Sequence, residues 1–330
     1  MTYKEAFLAG PGPRTWREAL ILWAKGFAMG SADIIPGVSG GTIAFITGIY
    51  SQLITAITSF DLVFFRRLLQ GDLKGALAET HLKFLAPLFL GIALALLSMA
   101  RLMNYLLAQH PVPTWSLFFG LIAASILAVS RQLERRSALN LVIVAVFAVL
   151  AWLIVGLIPV ETPRELWFIF LSGVVAICAM ILPGISGAFI LLILGKYEYV
   201  TATLKNPFDL GNLVIIIVFV AGAALGITTF SRVLKWLFAR FPNGTVAALT
   251  GFMLGAMRKV WPWKEVVESK VVNGKLLVLA EHNVWPSAVD ASLFLALGLM
   301  AVGFVTVWLL ERWSLSRQAP APAPAAPREA

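Results

Sequence analysis

Charge, histidine and cysteine are scarce in this chain. Asp, Glu, Lys and Arg make up 13% of its 330 residues and hydrophobic residues 59%, where an ordinary soluble domain carries roughly 25% charge. A soluble globule needs a charged shell, so that class is excluded and lipid is the solvent for most of the surface. The single cysteine, Cys178, excludes an intramolecular disulfide, and its apolar neighbours make it a small buried hydrophobe. The three histidines, His81, His110 and His282, fall in loops far apart, and no His-Glu-x-x-His, paired-cysteine or Gly-x-Ser-x-Gly pattern occurs. No metal, no cofactor and no catalytic constellation is therefore expected, and the chain does not read as an enzyme. The basic N-terminus, with Lys4, Arg14 and Arg17, is not followed by a short apolar run and a cleavage site, so it is expected to be retained in the cytoplasm.

What the sequence has is long apolar runs. About 20 residues cross ~30 Å of hydrocarbon, and runs of that kind recur at Phe84 to Leu107, Thr114 to Val129, Leu139 to Pro159, Leu213 to Phe238 and Ala288 to Leu310. The net charge of +9 lies mostly between these runs, where basic residues orient helices and meet anionic headgroups. Membrane lipids, not nucleic acid, are the expected partners. Residues 1–15 form an N-terminal cytoplasmic segment, and the Ala-Pro stretch 318–330 has too few large apolar residues to pack and reads as a disordered tail.

The chain is one unit written twice. Pro36-Gly-Val-Ser-Gly-Gly-Thr-Ile-Ala-Phe-Ile-Thr-Gly-Ile-Tyr50 aligns with Pro183-Gly-Ile-Ser-Gly-Ala-Phe-Ile-Leu-Leu-Ile-Leu-Gly-Lys-Tyr197 at an offset of 147, with 8 of 15 positions identical. At an offset of 131, Gly91 aligns with Gly222, Arg101 with Arg232, Pro111 with Pro242, Thr114 with Thr245 and Gly120 with Gly251. Repeat one is expected over 16–158 and repeat two over 166–312, the first with a loop longer by 16 residues.

Each motif is an apolar arm, a Pro-Gly-x-Ser-Gly break and a second apolar arm. Pro36 and Pro183 cannot continue an incoming helix, and Gly37 and Gly184 permit positive φ. Arms of about 15 residues are short for full crossings, so each segment is expected as a re-entrant helical hairpin. A segment that enters and leaves on one side gives each repeat an odd number of crossings, which makes the repeats inverted. The fold class expected is all-α integral membrane, an inverted-repeat transporter with six transmembrane helices and two re-entrant hairpins. The basic residues at Arg66, Arg67, Lys74, Lys83, Arg131, Arg135, Arg136, Arg240, Arg312 and Arg317 then lie in the cytoplasm, with Arg258 to Pro286 a long, mixed-charge outside segment.

Broken backbone in hydrocarbon leaves polar groups unpaired, at several kcal/mol each, unless protein or a wet cavity surrounds them. Two breaks meeting near the midplane would gather the amides of Gly40, Gly41 and Gly187 with the hydroxyls of Ser39, Thr42 and Ser186 into a donor cluster suited to an oxyanion. Arg101 and Arg232 occupy matching positions near the ends of their spans. Their guanidinium forks either take an anion alternately from the two sides or snorkel to headgroups. Asp33, whose aligned partner is Met180, either binds a coupling proton or cation or pairs with Lys25 or an arginine. Glu198 is a second, more interfacial acid. Gly91 and Gly120 read as small residues that let helices pack closely.

At these motifs, Gly30-Ser-Ala-Asp-Ile-Ile-Pro-Gly-Val-Ser-Gly-Gly-Thr42 and Ile181-Leu-Pro-Gly-Ile-Ser-Gly187, the sequence resembles the PopT polyprenyl-phosphate transporters, a prokaryotic membrane family once known only as a domain of unknown function. The resemblance covers all but the tail. It implies a flippase that returns undecaprenyl phosphate from the outer to the inner leaflet of the bacterial cytoplasmic (inner) membrane for cell-envelope synthesis. Ala188 stands where the first motif has Gly41, a departure between the half-sites. The alternative is a cation-coupled carrier of a small soluble anion, and a lipid-linked phosphotransferase would need an acid-base pair of which only Asp33 is present.

Overall fold

The computed structural model describes residues 2–34, 39–133, 137–157, 162–203, 206–272 and 275–317. Pro36 and Gly37 of the first break, Arg135, Arg136 and the Ala-Pro tail lie outside the described residues.

A short α1 (Tyr3–Ala9), started by a Thr2/Glu5 capping box, precedes α2 (Trp16–Asp33), which ends at the first break. Beyond the break come α3 (Gly40–Ile46) and α4 (Tyr50–Thr58), then two short surface helices, α5 (Leu62–Leu69) and α6 (Leu73–Glu79), each capped by an aspartate, Asp61 or Asp72. The long α7 (Leu82–Gln109) turns at His110 directly into α8 (Pro111–Ser130), and α9 (Ala138–Ile154) closes the first half. The second half follows the same order with α10 (Leu166–Ile181), α11 (Gly187–Ile193), α12 (Tyr197–Thr203), α13 (Leu210–Arg240), α14 (Pro242–Ala256) and α15 (Ala291–Arg317). Pro111 and Pro242 each sit in the first turn of a helix, where a missing N–H costs nothing.

One expectation needs correction and one is met only in part. Between α14 and α15 the chain forms an antiparallel hairpin of β1 (Lys264–Val272) and β2 (Lys275–Asn283), so the fold is mostly helical and not all-α. Among the described residues, four helices, α7, α8, α13 and α15, are long and apolar enough to cross a membrane, and the bent pair α3 and α4 makes a fifth candidate. The other two expected spans, α9 and α14, have 17 and 15 residues. The chain is a multi-pass membrane protein.

The four closest helix pairs are α2 with α7, α10 with α13, α8 with α15 and α9 with α14. They obey the repeat: the first two are equivalents, and the last two exchange their third helices between halves. Glycines set every crossing. A Cβ on Gly26 would drive into the Leu88 carbonyl and one on Gly91 into that of Trp23; the equivalents Gly173 and Gly222 meet Phe219 and Phe170 in the same way. Gly120 lies against Met300 of α15, and Gly251 against Val144 of α9. Such contacts let backbones touch where no hydrophobic force drives helices together in lipid.

These contacts also give direction. Gly251 faces Val144 and Gly255 faces Ala148, so α9 and α14 run the same way. Gly26 faces Leu88 and Gly30 faces Ile92, so α2 and α7 do too, and the chain between them returns to the side from which α2 started.

The second arm of each motif segment is not one helix, as expected, but two. α3 and α4 are bent by 117°, with Gly48 at φ 72° in the turn and its equivalent Gly195 at φ 60° between α11 and α12. Left-handed backbone of this kind suits glycine. The carbonyls freed by the bends are capped differently: the Lys25 ammonium donates to the Thr47 oxygen at 2.7 Å, while the Thr162 hydroxyl donates to that of Leu194, the aligned residue. Replacing Lys25 by methionine leaves a partly buried carbonyl unpaired and is expected to destabilise the protein by about 1–3 kcal/mol, read as a lower unfolding midpoint in detergent; an unchanged midpoint would count against this capping role.

Candidate functional site

The two breaks meet. At the second, α10 stops at Ile181, Leu182 turns to extended backbone, Gly184 adopts φ 93° and Ser186 leads into α11. At the first, Ser39 caps α3, its Oγ accepting the Gly41 N–H at 3.1 Å. Three hydrogen bonds then cross between the halves: the Ser39 hydroxyl donates to the Met180 oxygen at 3.1 Å, the Gly184 N–H to Thr42 Oγ1 at 3.0 Å, and the Tyr50 hydroxyl to the Ile181 oxygen at 3.1 Å. Ser39, Thr42 and Tyr50 are 1%, 2% and 3% exposed, so the Met180 and Ile181 carbonyls and the Gly184 N–H at the second break find their partners on the first half. The main apolar core, with Phe45, Tyr50, Ile181, Leu249 and Met253, is built around this contact.

The halves are unequal here in room and in charge. A Cβ on Gly41 would lie 2.6 Å from the Ile181 oxygen, whereas the aligned Ala188 is exposed and has room for its methyl. Asp33 reaches across the first break and accepts the Gly40 N–H at 2.6 Å. Its hydrogen-bond partner is thus a helix amide, and among the described residues it makes no ion pair with Lys25 or an arginine, one of the two readings of the sequence; a carboxylate is well placed at that positive helix end. Met180, which replaces it in the second half, lends only its carbonyl. Ser186 is buried at 6% exposure, and its hydroxyl makes no hydrogen bond among the described residues.

Two apolar cavities flank the contact. One of about 310 Å³ reaches Thr42 and Ile43 between α2, α3, α7, α8 and α15. The other, of about 690 Å³, reaches Leu182 beside Pro183, between α9, α13 and α14. Their walls correspond through the repeat: Met103, Phe118 and Leu121 line the first, and their equivalents Leu234, Leu249 and Phe252 line the second.

The structure brings Ser39, Gly40, Gly41, Thr42 and Gly184 together with the backbone at Met180 and Ile181; Pro183 and Gly187 are buried beside them. It does not bring the two arginines to them. Arg101 is exposed and makes no hydrogen bond or ion pair among the described residues, and Arg232 is exposed and donates to the oxygens of Thr228 and, at 3.2 Å, Phe60. Glu198 lies half-buried in the first turn of α12.

Sequence reasoning missed Tyr50, although its identity with Tyr197 across the repeat was available as a signal. It also missed a charged cluster at the foot of the β-hairpin. The ammonium groups of Lys259 and Lys264 lie 2.6 and 3.2 Å from one oxygen of Glu281. Lys264 also donates to the Lys259 carbonyl and sits 4.0 Å over the Trp115 ring. Burial lowers its pKa to about 8, the Glu281 charge opposing that shift. Trp261 fixes this foot, its indole N–H donating to the Val284 oxygen at 2.8 Å and its ring packing on Phe119, Trp263 and Trp285.

Comparison with known proteins bears on what the paired breaks handle. A family profile described as "VCA0040-like: Undecaprenyl phosphate translocase-like" matches residues 29–278. A protein of Vibrio cholerae serotype O1 named "Polyprenyl-phosphate transporter" is 39% identical over 302 residues, 89% of this chain and 97% of that protein. A protein of the same name from Staphylococcus aureus is 31% identical over 255 residues, 72% of this chain and 84% of the relative. No solved structure matches the chain.

Proposed function

The chain belongs to the undecaprenyl phosphate translocase-like family, and from that premise we propose that it returns undecaprenyl phosphate, or a related polyprenyl phosphate, from the outer to the inner leaflet of the bacterial inner membrane. It is a transporter of polyprenyl phosphate, as its relatives are named.

The observation that carries the mechanism is the contact of the two breaks by three crossing hydrogen bonds. The Ser39 hydroxyl, the Tyr50 hydroxyl and the Gly184 N–H are donors from both halves directed at one place. Phosphate oxygens can take over the acceptor role now filled by the Met180 and Ile181 carbonyls and the Thr42 hydroxyl, so opening the contact onto phosphate leaves the three donors paired, while the freed carbonyls need water or another donor. Repeats over 16–158 and 166–312, inverted about an axis in the membrane plane, would present this exchange to each side in turn. The parallel course of α9 and α14 supports the inversion, since these helices hold unlike places in the two repeats. Arg101 and Arg232, near the span ends, then meet headgroups at the membrane surface.

The apolar walls of both flanking cavities favour a lipid tail over a soluble anion, whose route would have to be lined by donors. Reconstituted protein is accordingly expected to move labelled undecaprenyl phosphate between leaflets and to take up no inorganic phosphate. Uptake of inorganic phosphate without lipid transfer would establish the soluble-anion carrier in its place.

A further inference from the structure

We infer that Lys259 is a phosphate-capturing residue on the hairpin side of the membrane, the first contact of the anionic headgroup before it reaches the second break. The inference rests on the lipid-phosphate reading and adds to it a binding group and a side.

The cluster at the hairpin foot carries two ammonium groups against one carboxylate, and both bind the same Glu281 oxygen. Side-chain exposures of 17% for Lys259, 8% for Lys264 and 21% for Glu281 leave little water to screen the surplus positive charge. A surplus charge so enclosed favours an incoming anion. Lys264 has its donors engaged by Glu281 and the Lys259 carbonyl, with Trp115 beneath. Lys259 donates to Glu281 alone and has two N–H groups without an acceptor among the described residues.

Its position gives those donors a use. The Lys259 ammonium lies 4.9 Å over the ring of Phe189, the third residue of α11, next to Ser186 and Gly187 of the second break. The hairpin stands at the Trp115 end of α8, opposite the end at which Arg131 pairs with Glu311, which is the outer side on the proposed orientation. Lys259 is thus placed between the outer surface and the break, on a hairpin foot held rigid by Trp261. The ligand chemistry is a terminal phosphate group, either the monoester headgroup of the lipid or free inorganic phosphate.

The test is binding of radiolabelled undecaprenyl phosphate to purified protein in detergent, with and without inorganic phosphate as competitor, for the wild type, Lys259→Gln, Lys259→Arg and Glu281→Gln. Lys259→Gln is expected to bind the lipid about tenfold more weakly, Lys259→Arg close to normally, and Glu281→Gln more tightly, because it releases positive charge. Competition by inorganic phosphate would mark a site that reads phosphate alone, and its absence one that needs the lipid. A salt bridge that only holds the hairpin would weaken all variants together through loss of folded protein, and that result overturns the inference. Equal affinities of wild type and Lys259→Gln overturn it too. In that case leaflet transfer by the wild type would still leave the transport reading standing.

Discussion

Gly41→Ala is expected to lower leaflet transfer of undecaprenyl phosphate at least about tenfold while leaving most of the protein folded. The new methyl would lie 2.6 Å from the Ile181 oxygen, a distance that real Cβ atoms essentially never show, so one break must shift against the other. Overpacking of this kind costs roughly 1–3 kcal/mol, which a protein stabilised by four close helix pairs can absorb. What it cannot absorb is the altered geometry of the Ser39, Tyr50 and Gly184 donors, which all lie within this contact. The mirror change, Ala188→Gly, touches an exposed position and is expected to leave transfer near the wild-type rate. Equal losses in both variants, measured in the same proteoliposomes, would mean that the motifs matter only as flexible backbone.

Gly222→Leu is expected to remove folded protein from the membrane altogether. Its Cβ would run into the Phe170 carbonyl, and a whole leucine side chain would force α10 and α13 apart along their crossing. Helices in lipid associate by close packing without a hydrophobic term to compensate, so the loss should exceed about 3 kcal/mol. Gly91→Leu should do the same to α2 and α7. Gly298→Leu is the control, since nothing lies within 4 Å of a Cβ there. Detergent extraction followed by size-exclusion chromatography distinguishes them: monodisperse Gly222→Leu protein would contradict the packing account.

The duplication was the most informative feature of the sequence, because it reports tertiary structure through positions far apart. Offsets of 147 and 131 predicted matching roles, and the structure realises them at Gly26 with Gly173, Gly91 with Gly222, and Gly120 with Gly251. The bends at Gly48 and Gly195 were present in the same alignment, yet hydropathy ran smoothly through them and hid the turn. The β-hairpin had a local signal in Asn273-Gly274, a strong hairpin pair in any sequence, set between Val271-Val272 and Leu276-Leu277-Val278, but the mixed charge of the segment masked it.

The site was readable as a place and less so as a set of contacts. Pro-Gly-x-Ser-Gly marks a break, but nothing local says that the Ser39 hydroxyl will find the Met180 carbonyl 141 residues away. Arg101 and Arg232 looked like phosphate ligands because guanidinium suits phosphate, but where an arginine points depends on which face of its helix is packed. Both face outward, while the surplus buried charge belongs to lysines beside the hairpin.

The most direct test of the central claim is leaflet-to-leaflet transfer of labelled undecaprenyl phosphate in proteoliposomes containing wild type or the Ser39→Ala, Thr42→Val double variant, at matched amounts of folded protein. If the paired breaks carry the phosphate, wild type transfers the lipid and the double variant does so at least about tenfold more slowly; equal rates would show that the phosphate crosses elsewhere.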